Sequence, residues 1–203
     1  MQIRPRLSTR RSAPLVFAAA ALFAAAAAPA EAADVDVGIG IGGGIGAADG
    51  RVDCVASFPC DRSSTSWKLF VDWRPTDAFD LQAVGFGAGR FKGGDTAPSG
   101  AAFGGSFKVD GLGFTGGYRW VIAPAWSLVG RAGLASVRTR FEYADSSLGA
   151  VSKTTVQPLL GLGLAWQLTP AVGVGLDYDV TRFKAHSTQG ALHMLGVTAQ
   201  YSF

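Results

Sequence analysis

The chain has 203 residues, with 18 Lys and Arg, 15 Asp and Glu, two His and two Cys. That length suggests one domain or two small ones. Four cations and Glu31 fall within the first 32 residues, which leaves 14 cations (18 − 4) and 14 acids (15 − 1) on the rest, a balance that gives no reason to expect a nucleic-acid partner. His186 and His193 lie far from Cys54 and Cys60, which argues against a zinc site.

The first 32 residues read as a cleaved secretory signal peptide. Arg4, Arg6, Arg10 and Arg11 form a positive start, Leu15 to Ala28 an apolar run, and Ala30-Glu31-Ala32 a small-residue cleavage site. The Arg10-Arg11 pair fits an ordinary basic leader better than a twin-arginine signal. Residues 33–203 are then the mature domain. Export to an oxidising compartment predicts that Cys54 and Cys60, in "CVASFPC", form a disulfide that staples a loop.

Beyond the leader, alternation with a period of two recurs. In "SWKLFVDWR", Trp67, Leu69, Val71 and Trp73 share one face, and Lys68 and Asp72 lie on the other. Eight segments of this kind lie near 34–45, 66–74, 79–90, 108–120, 126–138, 155–168, 172–183 and 192–203. The third, "LQAVGFGAG", does not divide its faces cleanly. Many segments have the length of a tilted membrane strand, about 9–11 residues.

The connections alternate in kind. Short turns hold Pro75, Pro124 and Pro170, whereas 46–65, 91–107, 139–154 and 184–191 are longer and polar. This is the hairpin rhythm of an outer-membrane barrel, with turns inside and loops outside. Trp73, Trp120, Trp126 and Trp166 all lie near the short turns, where an interfacial aromatic belt is expected. One face gathers Lys68, Asp72, Gln82, Arg119, Arg131, Asp177 and Asp179, the expected polar network of the lumen. A soluble sheet would need a second layer to cover its apolar face, and a bilayer removes that need. Gly supplies 28 of the 171 mature residues (203 − 32), more than twice the usual share of about 7%, and inward Gly leaves room for large polar side chains.

Other motifs carry little chemistry. "GIGIGG" and "GLGFTG" match a dinucleotide fingerprint, but neither leads into a helix. His186 and Ser187 are adjacent, so on a strand they point to opposite faces and cannot act together as base and nucleophile. No catalytic residue, metal or cofactor is expected. The inward charges read either as a structural plug or as the lining of an ion path.

"CVASFPCDRSSTSWKLFVDWRPTDAFDLQAV", "DGLGFTGGYRWVIAPAWSLVGRAGL", "LDYDVTRF" and "LGVTAQYSF" together resemble OmpA-like outer-membrane barrels. The resemblance implies an eight-stranded antiparallel up-and-down β-barrel with short periplasmic turns and longer extracellular loops. It sets Arg131 at an inward basic position and Gln82 where the family has a Glu, which puts a family-style gate in doubt. Tyr201 and the terminal Phe203 resemble the signature read by the barrel-assembly machinery. Family members carrying a peptidoglycan-binding domain have it after the barrel; this chain stops at Phe203, and no such anchor is expected.

The expectation is a monomeric integral outer-membrane protein embedded in lipid and lipopolysaccharide. Its role is structural, or lies in surface interaction through the loops, with a host or surface ligand as a candidate partner. The alternative is a narrow porin-like channel, and a lipid-modifying enzyme is a distant third.

Overall fold

The computed structural model describes residues 38–50, 60–96, 102–144, 149–185 and 188–203. The leader, Cys54, His186 and Ser187 lie outside these residues. Eight strands follow in order: β1 Gly38–Gly50, β2 Ser63–Arg74, β3 Phe79–Thr96, β4 Ala102–Ala123, β5 Trp126–Tyr143, β6 Ala150–Gln167, β7 Val172–Ala185 and β8 Thr188–Ser202. Each pairs antiparallel with its sequence neighbour, and β1 pairs with β8 to close the barrel. Closure leaves no sheet edge within the bilayer, where an unpaired backbone group is costly.

The alternation seen in the sequence sorts residues between two solvents. Ile41, Ile45, Leu69, Leu112, Phe114, Leu134, Leu160, Leu162, Leu195 and Val197 point outward and are exposed. Facing water, so large an apolar band would be a liability; facing lipid, it is the expected exterior. Polar Lys68, Asp72, Gln82, Arg119, Asp177 and Asp179 point inward and are buried.

Three strand joins use short turns, at 75–78, 124–125 and 168–171. Thr76 caps the first, its hydroxyl accepting from Phe79 N at 3.2 Å. Thr169 does the same for Val172 N at 3.0 Å.

The strands run further than the sequence pattern predicts. The expected loop 91–107 is largely ladder, with β3 reaching Thr96 and β4 starting at Ala102. The expected loop 139–154 likewise belongs mostly to β5 and β6. Their composition is loop-like because these strand tips leave the lipid and carry polar residues such as Lys92, Ser106, Arg140 and Ser152 on the outer face. The third strand is ambiguous because Ala83, Gly85 and Gly87 take outward positions while Val84, Phe86 and Ala88 face inward, and a register shift follows between Ala88 and Arg90. Phe86 and Ala88 point inward before it, and Phe91 after it, so the inward phase changes from even to odd.

Candidate functional site

The barrel interior has two storeys. Near the short turns it is ionic. Lys68 Nζ lies 2.8 Å from Asp179 Oδ2 and 3.9 Å from Asp177 Oδ1. Arg131 reaches Asp177 at 3.2 Å with Nη1 and Asp80 at 3.4 Å with Nη2. Arg119 approaches Asp80 at 3.9 Å and donates to Ser127 Oγ at 2.9 Å. Thr198 donates to Asp177 at 2.6 Å. One connected network thus spans β2, β3, β4, β5, β7 and β8. A second, smaller group joins Gln200 to Asp72 at 3.0 Å, Asp72 to Arg74 at 3.3 Å, and Arg74 to Ser202.

Two cavities of about 20 and 30 Å³ lie in the interior, and both are lined by Arg131, Asp177 and Thr198. These three residues form the partition between them. Each space has room for about one or two waters.

Toward the loop end the interior changes character. Phe86, Phe91, Val109, Val137, Phe183 and Leu192 are at most 1% exposed. Phe107 and Phe141 pack beside them, ring centroids 4.6 Å apart. This apolar storey was not anticipated, yet it keeps the phase of the polar residues: Phe183 follows Asp177 and Asp179 along β7, and Val137 and Phe141 follow Arg131 along β5. Only Phe91 is out of phase, because of the bulge.

Of the seven lumen residues expected from sequence, Lys68, Arg119, Arg131, Asp177 and Asp179 join the larger network and Asp72 the smaller. Gln82 stands outside both, and its buried Nε2 has no hydrogen-bond partner among the described residues. Arg74 and Asp80 also belong to the networks. Arg74 shares the face of Lys68 and Asp72 in the sequence pattern, whereas the closeness of Asp80 to the Pro75 turn concealed it, although it keeps the inward phase of its strand.

Trp73 and Trp120 are about half exposed on the outer face at the turn end. Trp126 and Trp166 stack there with centroids 5.3 Å apart, and Tyr118 extends the row by an edge contact of 4.7 Å to Trp120. Tyr201 and Phe203 sit on the same exterior, edge to face at 5.1 Å. Phe203 N donates to Ile39 O at 2.9 Å, tying the chain end into the closing pair. Cys60 is described and is not a free thiol. His193 faces outward, its Nδ1 2.7 Å from Tyr178 Oη.

Among the described residues no cluster offers three or more metal-ligating side chains. An apolar exterior, full closure and a charged interior define a transmembrane β-barrel. The chain belongs to the outer membrane protein beta-barrel domain family, whose model matches residues 16–203. Among solved structures it is similar to Neisserial surface protein A, with a TM-score of 0.61 at 12% identity over 81% of this chain and 97% of that one. It is also similar to the N-terminal barrel domain of OprF from Pseudomonas aeruginosa (TM-score 0.51, 12% identity, 82% and 98%). A third is the attachment invasion locus protein Ail of Yersinia pestis in complex with the heparin analogue sucrose octasulfate (TM-score 0.50, 17% identity, 81% and 99%). These likenesses concern the fold. No curated protein matches the chain.

Proposed function

We propose that this outer-membrane barrel is a non-conducting surface-interaction protein whose working part is the sheet that projects at its loop end. The observation that carries this reading is the Phe-filled storey, which lies between the two cavities and the outside. A permeant ion would have to cross it without water or charge.

The strands themselves support a role at the rim. β3 to β6 contain 18, 22, 18 and 18 residues, against 13, 12, 14 and 15 for β1, β2, β7 and β8. The pairing of β6 with β7 stops at Leu159↔Thr181, while β6 continues paired to β5 as far as Ala150. Pro158 stands at that point and cannot donate a ladder bond. Ala150–Gln157 is thereby left as an edge, rich in Val and Thr, on which an extended segment of a partner protein can add as a further strand.

The pore reading draws on the two cavities and their Arg131 partition. Conductance of the refolded barrel in a planar bilayer separates the two. Silence in both wild type and Arg131→Ala supports the sealed barrel. Discrete openings that shift in Arg131→Ala would establish the pore instead.

A further inference from the structure

Beyond the apolar belt, the outer face of β3, β4 and β5 carries a row of cations. Arg90 is the register partner of Lys108, and Lys108 is the register partner of Arg140. All three are exposed and point outward. Directly opposed side chains on a sheet stand about 5 Å apart, and like charges there are destabilising. Arg138 adds a fourth cation next to the row, opposite Asp110. Glu142 is the acid that reaches the row, at 3.7 Å from Arg90 and 3.4 Å from Arg140. Lys108, between them, and Arg138 have no ion pair among the described residues.

The height of this row narrows the anion. Leu112 and Leu134, exposed to lipid, lie four residues below Lys108 and Arg138 on their strands. Lys108 is twelve residues above Trp120 (120 − 108) in the belt at the opposite interface. At 3.3 Å per residue and a tilt of about 40°, that is about 30 Å, just past an apolar band about 25 Å tall. An anion here sits at the headgroup level, with hydrocarbon directly beneath. Lipid headgroups are recognised by basic clusters placed in this way.

We infer that Arg90, Lys108, Arg138 and Arg140 form a site for the phosphates of an outer-leaflet glycolipid, with its acyl chains lying on Leu112, Phe114 and Leu134. The anion offsets the repulsion that the row otherwise carries. The site does not depend on whether the lumen conducts or on what the β6 edge meets.

The test is calorimetric titration of the refolded barrel in detergent micelles with bis-phosphorylated lipid A. The expected result is binding to wild type that weakens about tenfold or more in Lys108→Gln/Arg140→Gln, with Arg182→Gln/Lys184→Gln on β7 unchanged. Heat-modifiable gel migration reports that each variant is folded, and single Arg138→Gln takes over if the double variant is not. Equal affinity in wild type and the row variants overturns the site. So does equal binding of lipid A stripped of its phosphates. Displacement of lipid A by sucrose octasulfate at matching affinity would assign the row to a soluble polyanion and overturn the lipid.

Discussion

Arg131 and Asp177 meet at 3.2 Å across an intervening strand, because β6 contributes Gly161 and Gly163 between them. A Cβ on Gly163 would lie 2.6 Å from Asp177 Oδ1, and one on Gly161 2.7 Å from Asp179 Oδ1. Gly163→Ala is expected to destabilise the barrel by about 1–3 kcal/mol, the range for overpacking. Gly116→Ala, whose Cβ would meet only Leu81 at 3.7 Å, serves as the control and is expected to be neutral. Urea unfolding in lipid vesicles, followed by Trp fluorescence, compares them. Equal midpoints for the two variants would disprove the steric argument.

The interior ion pairs are expected to stabilise as a set. Asp179 has Lys68 as its ion-pair partner at 2.8 Å, and both side chains are about nine-tenths buried. Lys68→Met leaves a buried carboxylate exposed to no cation at that distance and is expected to cost about 3–5 kcal/mol. Adding Asp179→Asn removes that charge, so the double variant should recover part of the loss. A double-mutant cycle by urea unfolding measures the coupling. Strict additivity would mean that the pair acts independently.

How much of this was legible depends on what each strand faces. Trp67, Leu69, Val71 and Trp73 alternate with Lys68 and Asp72 because lipid and lumen reward opposite chemistry, so period two is clear on β2. It fades on β3 because Ala83, Gly85 and Gly87 face outward while apolar Val84, Phe86 and Ala88 face inward, and the Ala88/Arg90 bulge then reverses the phase. It also fades at the tips of β5 and β6, where the outer face meets water instead of lipid and Arg138, Arg140, Ser152 and Thr154 read as loop. The Phe-filled storey left no compositional mark of its own: inward Phe183 and outward Phe114 are the same residue type in different solvents. Only extension of the inward phase from Asp179 to Phe183 would have revealed it.

The disulfide expected between Cys54 and Cys60 should contribute little to insertion. The base of this loop is already closed by Gly50 N donating to Arg62 O at 2.8 Å, at the ends of β1 and β2. The barrel ladder below has its own bonds. Reduction is therefore expected to leave heat-modifiable migration intact. Its loss on reduction alone would show that the staple holds the barrel itself.

The β6 edge makes a separate prediction. Val151 and Val156 lie within the segment that lacks a β7 partner, and they are 45% and 69% exposed. Val151→Lys/Val156→Lys places charge along the edge, the device by which exposed strands resist pairing. The variant should fold and insert normally but lose adherence of expressing cells to a surface that retains wild-type cells. Undiminished adherence would move the interaction away from this edge.

The roof of the upper cavity offers the last prediction. Phe86, Leu159 and Met194 line the cavity of about 20 Å³ and also belong to the apolar cluster. They form the boundary between this water-sized space and the Phe-filled storey. Phe86→Ala/Met194→Ala removes most of that roof, at about 3–5 kcal/mol for the Phe alone. If this roof is the part of the apolar storey that keeps ions out, the folded variant conducts in a planar bilayer where wild type is silent. A folded variant that stays silent would move the seal higher, to Phe91, Phe107, Phe141 and Phe183, which remain packed above the new space.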